Sequence, residues 1–290
     1  VYRLFSDEFM ILDRSSKNVM EIKLLYDRVR DAIDRFIKDN DYVVMFTVSG
    51  GILPLHAMDE VGYSDAMKLT DFSLNEAKTR GRNRCYVFKE KEYQQFLRKS
   101  ELIQELRNAV INDFKGFTAF YQPVFKSETG KLYGAEALMR FTSEKFGIVS
   151  PVEFIPILEE TGLIIPAGRW MMEEAMEKCS QIRKLFSEFR ISINISQAQI
   201  AKSDAILDVI AALEKAKLPT DALIVELTES DLLEQNINEK HFLTELKRMN
   251  IKLALDDFGT GYSNFHYLSE LGPAIIKIDR SFTASAVADE

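Results

Sequence analysis

The sequence is poor in the residues that most often announce a site. Among 290 residues there are 2 cysteines, 3 histidines and 1 tryptophan. Cys85 and Cys179 stand far apart, which excludes a disulfide framework and reads as two reduced, mostly buried thiols. His56, His241 and His266 are also scattered, the latter two on probable helix faces. The lack of a His/Cys cluster argues against a zinc centre. No apolar run reaches the ~18 residues of a membrane span, and no secretory leader is visible. Positive charge is in deficit, with 37 Lys+Arg against 45 Asp+Glu and a net charge of −8. That argues against a nucleic-acid polymer held on a basic face. An initiating methionine is missing too. The chain opens on VYRLF, which reads as an internal segment, the cytoplasmic part of a longer sensor polypeptide. What remains is ordinary for a globular protein, at 46% hydrophobic and 28% charged. The length suits two domains.

Three zones follow one another, with boundaries expected at 1–90, 91–112 and 113–290. In the first, VYRL and EFMILD flank Ser6-Asp7 as a hairpin. Met20, Ile22, Leu25, Val29, Ile33 and Phe36 recur at helical spacing from Asn18 to Lys38. YVVMFTVSGGIL reads as a strand ending in Gly50-Gly51. A helix is expected over Asp65 to Arg80, and RCYVF reads as a strand. The second zone lacks glycine and proline and reads as a helical connector. The third alternates strand and helix patterns. FTAFYQPVF, KLYGAEALMRF, RISINIS, LIVELTE, IKLALDD and AIIKID read as strands. Ser150-Pro151-Val152-Glu153 reads as a capping box with proline at the first helical position. Trp170, Met171 and Met172 read as helix core. Repeated βα units imply a parallel sheet, here part of a (β/α)₈ barrel whose last strands are not in the sequence.

Functional residues of such barrels gather at the C-terminal ends of the strands. Glu136, Leu138 and Arg140 are two apart and share one strand face. Asn194 lies near the end of RISINIS, and Glu226, Thr228 and Glu229 end LIVELTE. Asp256 and Asp257 end IKLALDD, while Lys277 and Asp279 end AIIKID. Carboxylates and an amide oxygen are hard ligands suited to Mg²⁺ or Mn²⁺. Two adjacent aspartates suit a two-metal site acting on a phosphodiester. Lys277 would orient or deprotonate a water there, or balance phosphate charge.

These residues sit in YQPV at Tyr121, EALMR at Glu136, SPVEFIPILEETG at Ser150, SINIS at Ser192, VELTES at Val225, LALDDFGTGYSN at Leu253 and IKIDRSF at Ile276. Together they resemble the EAL family of cyclic-di-GMP phosphodiesterases over Glu101 to Glu290. The resemblance implies that Glu136, Asn194, Glu226 and Asp256 ligate metal and that Asp257 joins a second ion. It implies that Lys277 orients the catalytic water and Glu229 anchors the DDFGTG loop. Gln122, Leu138, Arg140 and Asp279 fall on the substrate side. It also implies hydrolysis of cyclic-di-GMP to linear pGpG and a homodimer. A further family glutamate, in an EGVE stretch, would fall beyond Glu290. A receptor that binds cyclic-di-GMP without cutting it is the alternative, and a protein-interaction scaffold is a third reading. The first zone resembles a GGDEF domain through RLFSDEFMIL, VSGGI and LTDFSLNEAKTRGRN. Phe5 and Ser6 stand where that pattern has two glycines. The expectation is a degenerate, N-terminally incomplete domain that makes no cyclic-di-GMP. Its Lys78 or Arg82 would at most bind nucleotide weakly.

Overall fold

The computed structural model describes residues 1–55, 61–228, 237–259 and 272–282. It divides into two compact units, Val1–Arg98 and Lys99–Glu290.

In the first unit, β1 (Tyr2–Phe5) and β2 (Glu8–Met10) form the antiparallel hairpin expected around Ser6, whose φ is +46°. Helix α1 (Val19–Asp39) starts at Asn18, whose side chain accepts from the Glu21 N–H at 3.0 Å. Strands β3 (Gly50–Ile52) and β4 (Cys85–Val87) pair in parallel, with α2 (Tyr63–Thr79) against them. Gly51 has to be glycine, because a Cβ there would meet the Leu74 nitrogen of α2 at 2.4 Å. The strand expected over YVVMFTVSGGIL shrinks to Gly50–Ile52. Among the described residues no strand pairs with 42–49, and Val43 and Met45 are fully exposed. Alternating apolar residues do not make a strand without a partner. Around Phe72 and Tyr86 the small core is aromatic, with Phe88, Tyr93 and Phe96 edge-on or tilted to Phe72.

Helix α3 (Glu90–Ile111) is the expected connector, and the boundary between the units falls inside it. Leu102, Leu106 and Ala109 of α3 are buried in the second unit, with Phe117, Phe141 and Phe154.

The second unit is built on one sheet. Its strands are β5 (Phe117–Phe125), β6 (Leu132–Ser143), β7 (Gly147–Val149), β8 (Arg190–Asn194), β9 (Leu223–Thr228), β10 (Lys252–Phe258) and β11 (Ile275–Ile278). The order is β11-β10-β9-β8-β6-β5, with β7 paired to β6. Strands β6, β8, β9, β10 and β11 are parallel, as βα repeats require. Strand β5 corrects the parallel expectation, because it runs antiparallel to β6. Only residues 126–131 join the two, and a parallel connection needs a crossover of about a dozen residues or more. Among the described residues the path is open, with β5 and β11 at its edges.

Helices α4 (Pro151–Thr161), α5 (Ile164–Arg183), α6 (Gln197–Lys202), α7 (Ala205–Ala216) and α8 (Ile237–Arg248) follow the strands. Pro151 opens α4 as expected, but Ser150 makes no side-chain capping bond. The Ser150 carbonyl accepts the Glu153 and Phe154 N–H groups instead. Capping at α6 is partial: the Ser196 N–H donates to Gln199 Oε1 at 3.1 Å. Met171, Met172, Ala175, Met176 and Cys179 of α5 pack on Ile191, Ile193, Leu223, Val225 and Leu253. Trp170 is partly buried against the same core, so the helix-core reading of that stretch holds. No helix among the described residues is long and apolar enough to cross a membrane.

Candidate active site

Strand alternation sorts each strand into two faces. On β6, Ala135, Ala137 and Phe141 are buried toward the helices, so Glu136, Leu138 and Arg140 face the other way. Parallel register sets Glu136 beside Ser192, Asn194 beside Glu226, and Ala254 beside Glu226. On the antiparallel side Gln122 lies opposite Glu136, Phe120 opposite Leu138, and Thr118 opposite Arg140.

Glu136, Glu226 and Asp256 converge from three strands, with a carboxylate oxygen of each within 4.8 Å of the others. Lys277 of β11 sits among them. Its Nζ donates to Glu136 Oε2 at 2.9 Å, Glu226 Oε2 at 2.6 Å and Asp256 Oδ2 at 2.7 Å. The Asn194 Nδ2 donates to Glu136 Oε1 at 2.9 Å. Glu226 is the deepest, at 3% exposure. Burial pushes its carboxyl up, with the Glu136 charge adding to the push, while Lys277 and the Ser192 hydroxyl oppose it. Burial also works against the Lys277 charge. Hydrogen bonds to Asp256 and Glu226 outweigh it and hold the ammonium well above the usual lysine range. Lys277 is therefore a fixed cation in this arrangement, not a base.

The adjacent aspartates differ. Asp256 enters the cluster through Oδ2 and accepts the Asp257 N–H on Oδ1 at 2.9 Å. Asp257 is exposed, outside the three-carboxylate group, with a left-handed φ of +51°. Burial, then the charges of Asp256 and Asp279, raise its carboxyl. Gly259 follows with φ +99°, and a Cβ there would meet the Phe282 ring at 2.7 Å. Asp279 is engaged locally. It accepts the Ser281 N–H at 2.8 Å and the Ser281 hydroxyl, and these hold its carboxyl low. Glu229, Thr260, Gly261, His56 and His266 lie outside the described residues.

The donor set fits a hard divalent cation. Three carboxylates less one ammonium leave two negative charges, and an ammonium already occupies the space between them. Two neighbours escaped the sequence reading. Ser192, 7% exposed, bonds Glu226, and Phe120 lies under Arg140. Period-two spacing from Asn194 and Gln122 was the available signal for both.

The EAL domain family model matches residues 103–290. The match leaves the first unit outside it and gives no support to the GGDEF expectation. YkoW of Bacillus subtilis, a signaling protein, is 33% identical over 285 residues, covering 97% of this chain and 35% of its own length. MucR of Pseudomonas aeruginosa, a bifunctional diguanylate cyclase/cyclic di-GMP phosphodiesterase, is 30% identical over 286 residues. That alignment covers 97% of this chain and 41% of MucR. The chain thus spans well under half the length of these relatives. A solved structure of the MucR phosphodiesterase in complex with c-di-GMP superposes with a TM-score of 0.58. It is 33% identical and covers 64% of this chain and 75% of its own.

Proposed function

This chain belongs to the EAL domain family, and we propose that it hydrolyses cyclic-di-GMP to linear pGpG with divalent metal. The observation that carries the reading is the convergence of Glu136, Glu226 and Asp256 on Lys277. MucR, a relative over almost the whole chain, is named a bifunctional diguanylate cyclase/cyclic di-GMP phosphodiesterase.

Glu136, Glu226 and Asp256 would hold Mg²⁺ or Mn²⁺, with the Asn194 amide oxygen and Asp257 completing a two-metal set. Bound there, such ions lower the pKa of water and draw charge from phosphoryl oxygens. The chain's own residues do the rest. Lys277 would orient the attacking water or balance charge on the phosphate. Gln122 and Arg140 orient the substrate from the β5–β6 ribbon, with Leu138 between Glu136 and Arg140. Asn194 fixes the Glu136 rotamer and Ser192 that of Glu226. Water adds across one P–O3′ bond: its oxygen joins phosphorus, and the 3′ oxygen leaves with a proton. The product is a linear dinucleotide with a 5′-phosphate.

The first unit we read as regulatory. Lys78 is already paired with Glu8, Nζ to Oε1 3.2 Å, and Phe5 brings a large side chain where a phosphate-binding backbone would need glycine. Conversion of GTP to cyclic-di-GMP would refute this. A homodimer belongs to the same reading, and sedimentation would test it. The principal experiment is chromatography of products from cyclic-di-GMP. Formation of pGpG in Mg²⁺ or Mn²⁺, with none in EDTA, is expected. Binding without product in either metal would make the site a receptor.

A further inference from the structure

We propose that Phe120 is a nucleobase-stacking residue, the flat apolar step on which one base of the substrate rests. This rests on the cyclic-dinucleotide reading above.

On β5, Phe117, Ala119 and Tyr121 pack toward the cores. Thr118, Phe120 and Gln122 therefore face the same side as Glu136. A single exposed phenylalanine is ordinary. What sets Phe120 apart is its place. It is 56% exposed and lies two residues along β5, about 7 Å, from Gln122, the cross-strand partner of Glu136. The Arg140 guanidinium carbon lies 5.6 Å from its ring centroid, and Arg140 Nη1 donates to the Met139 carbonyl at 3.0 Å. Along this ribbon the chemistry changes in order. Gln122 and Glu136 form a polar, anionic pair, Phe120 and Leu138 an apolar pair, and Thr118 and Arg140 a polar, cationic pair.

A cyclic dinucleotide has the matching order. Its phosphates belong at the charged centre and its bases project outward as flat heteroaromatics. Aromatic side chains stack bases with little regard to sequence, and the loss on alanine substitution is about 5- to 150-fold in binding. Arg140 over the same ring adds a cation that favours an electron-rich π face. Phe120 then sets affinity for the base, whereas the carboxylate cluster acts on the phosphate.

The test uses the intact chain and three variants: Phe120→Ala, Phe120→Leu and Phe120→Tyr. Folding is checked by circular dichroism. KM and kcat for cyclic-di-GMP are measured in Mn²⁺, and Kd in Ca²⁺. A cyclic dinucleotide carrying 2-aminopurine reports stacking through fluorescence quenching. Expected are KM and Kd raised at least about fivefold in the alanine and leucine variants, with quenching lost. The tyrosine variant should stay within about twofold of wild type, with quenching kept. Wild-type affinity in both alanine and leucine variants would overturn the inference alone. So would a leucine variant as good as wild type, because apolar bulk without a π face would then suffice. A wild-type chain that neither binds nor cleaves the dinucleotide would overturn the reading beneath it as well.

Discussion

Replacing Lys277 by methionine removes the cation that three carboxylates share. Its magnitude can be worked from the geometry. Two charges 4.8 Å apart repel by about 3.5 kcal/mol at an effective dielectric constant of 20. Three such pairs would cost about 10 kcal/mol, more than the fold would tolerate. The cluster has a less costly way out, since one carboxyl takes a proton. At pH 7, protonating a glutamate whose free value is about 4.5 costs roughly 3.4 kcal/mol. With the repulsion left between the other two carboxylates added, the expected loss is at least about 3 kcal/mol, or at least about 6–12 °C in melting temperature for a unit of this size. In the variant the folded carboxyl is raised above its unfolded value. Its proton therefore costs nothing below about pH 4.5, and about 1.4 kcal/mol for each pH unit above. The deficit should accordingly grow from pH 4.5 to 7. Divalent ions should cancel it, because a ligand at a hundred times its Kd stabilises by about 2.7 kcal/mol. Scanning calorimetry of wild type and Lys277→Met, in EDTA and in Mn²⁺ across that pH range, makes the comparison. A loss under about 2 °C at pH 7 in EDTA, or no recovery with Mn²⁺, would refute the reasoning.

Three further outcomes are expected. Gly134→Ala places a Cβ 2.3 Å from the Arg190 carbonyl oxygen, so strand β6 must shift against β8. Denaturant titration should show a loss of about 1–3 kcal/mol, and an unchanged midpoint would contradict the packing. Thiol alkylation at pH 8 should label the half-buried Cys85 before Cys179, whose fully buried thiol is pushed up to about 11 by its burial. Equal rates would mean that α5 is not seated as described. Lys89, then Tyr86 and Arg80, hold Glu92 down to about 2 by hydrogen bonding. The advantage of wild type over Glu92→Gln should be constant above about pH 4.5 and vanish as pH falls through about 2. A difference that persists at pH 2 would remove Glu92 from that network.

Much of the site was legible because it lies at strand ends, where period two fixes which side chains meet. Glu136, Asn194, Glu226, Asp256 and Lys277 were legible as residues at the same ends of their strands, and the structure brings their side chains together. Orientation beyond the last strand residue was not legible. Asp257 turns aside on a left-handed backbone, and Asp279 spends its carboxylate on Ser281. Strand direction was misread at β5 because the apolar pattern is the same either way, whereas the short 126–131 link decides it. YVVMFTVS shows the converse failure, since alternation cannot say whether a partner strand exists. Ser192 and Phe120 were passed over because a serine and a phenylalanine in strands look like filler until their neighbours are known.

The proposed reaction is attack of water on phosphorus at the Glu136–Glu226–Asp256–Lys277 cluster. Turnover of cyclic-di-GMP in Mn²⁺ and heavy-oxygen water tests it most directly, with product analysed by mass spectrometry for wild type and Glu136→Ala. Wild type should give pGpG carrying one heavy oxygen in its terminal phosphate, and the variant at least about a hundredfold less product. Unlabelled product, equal rates for the two proteins, or bound dinucleotide recovered intact would contradict it.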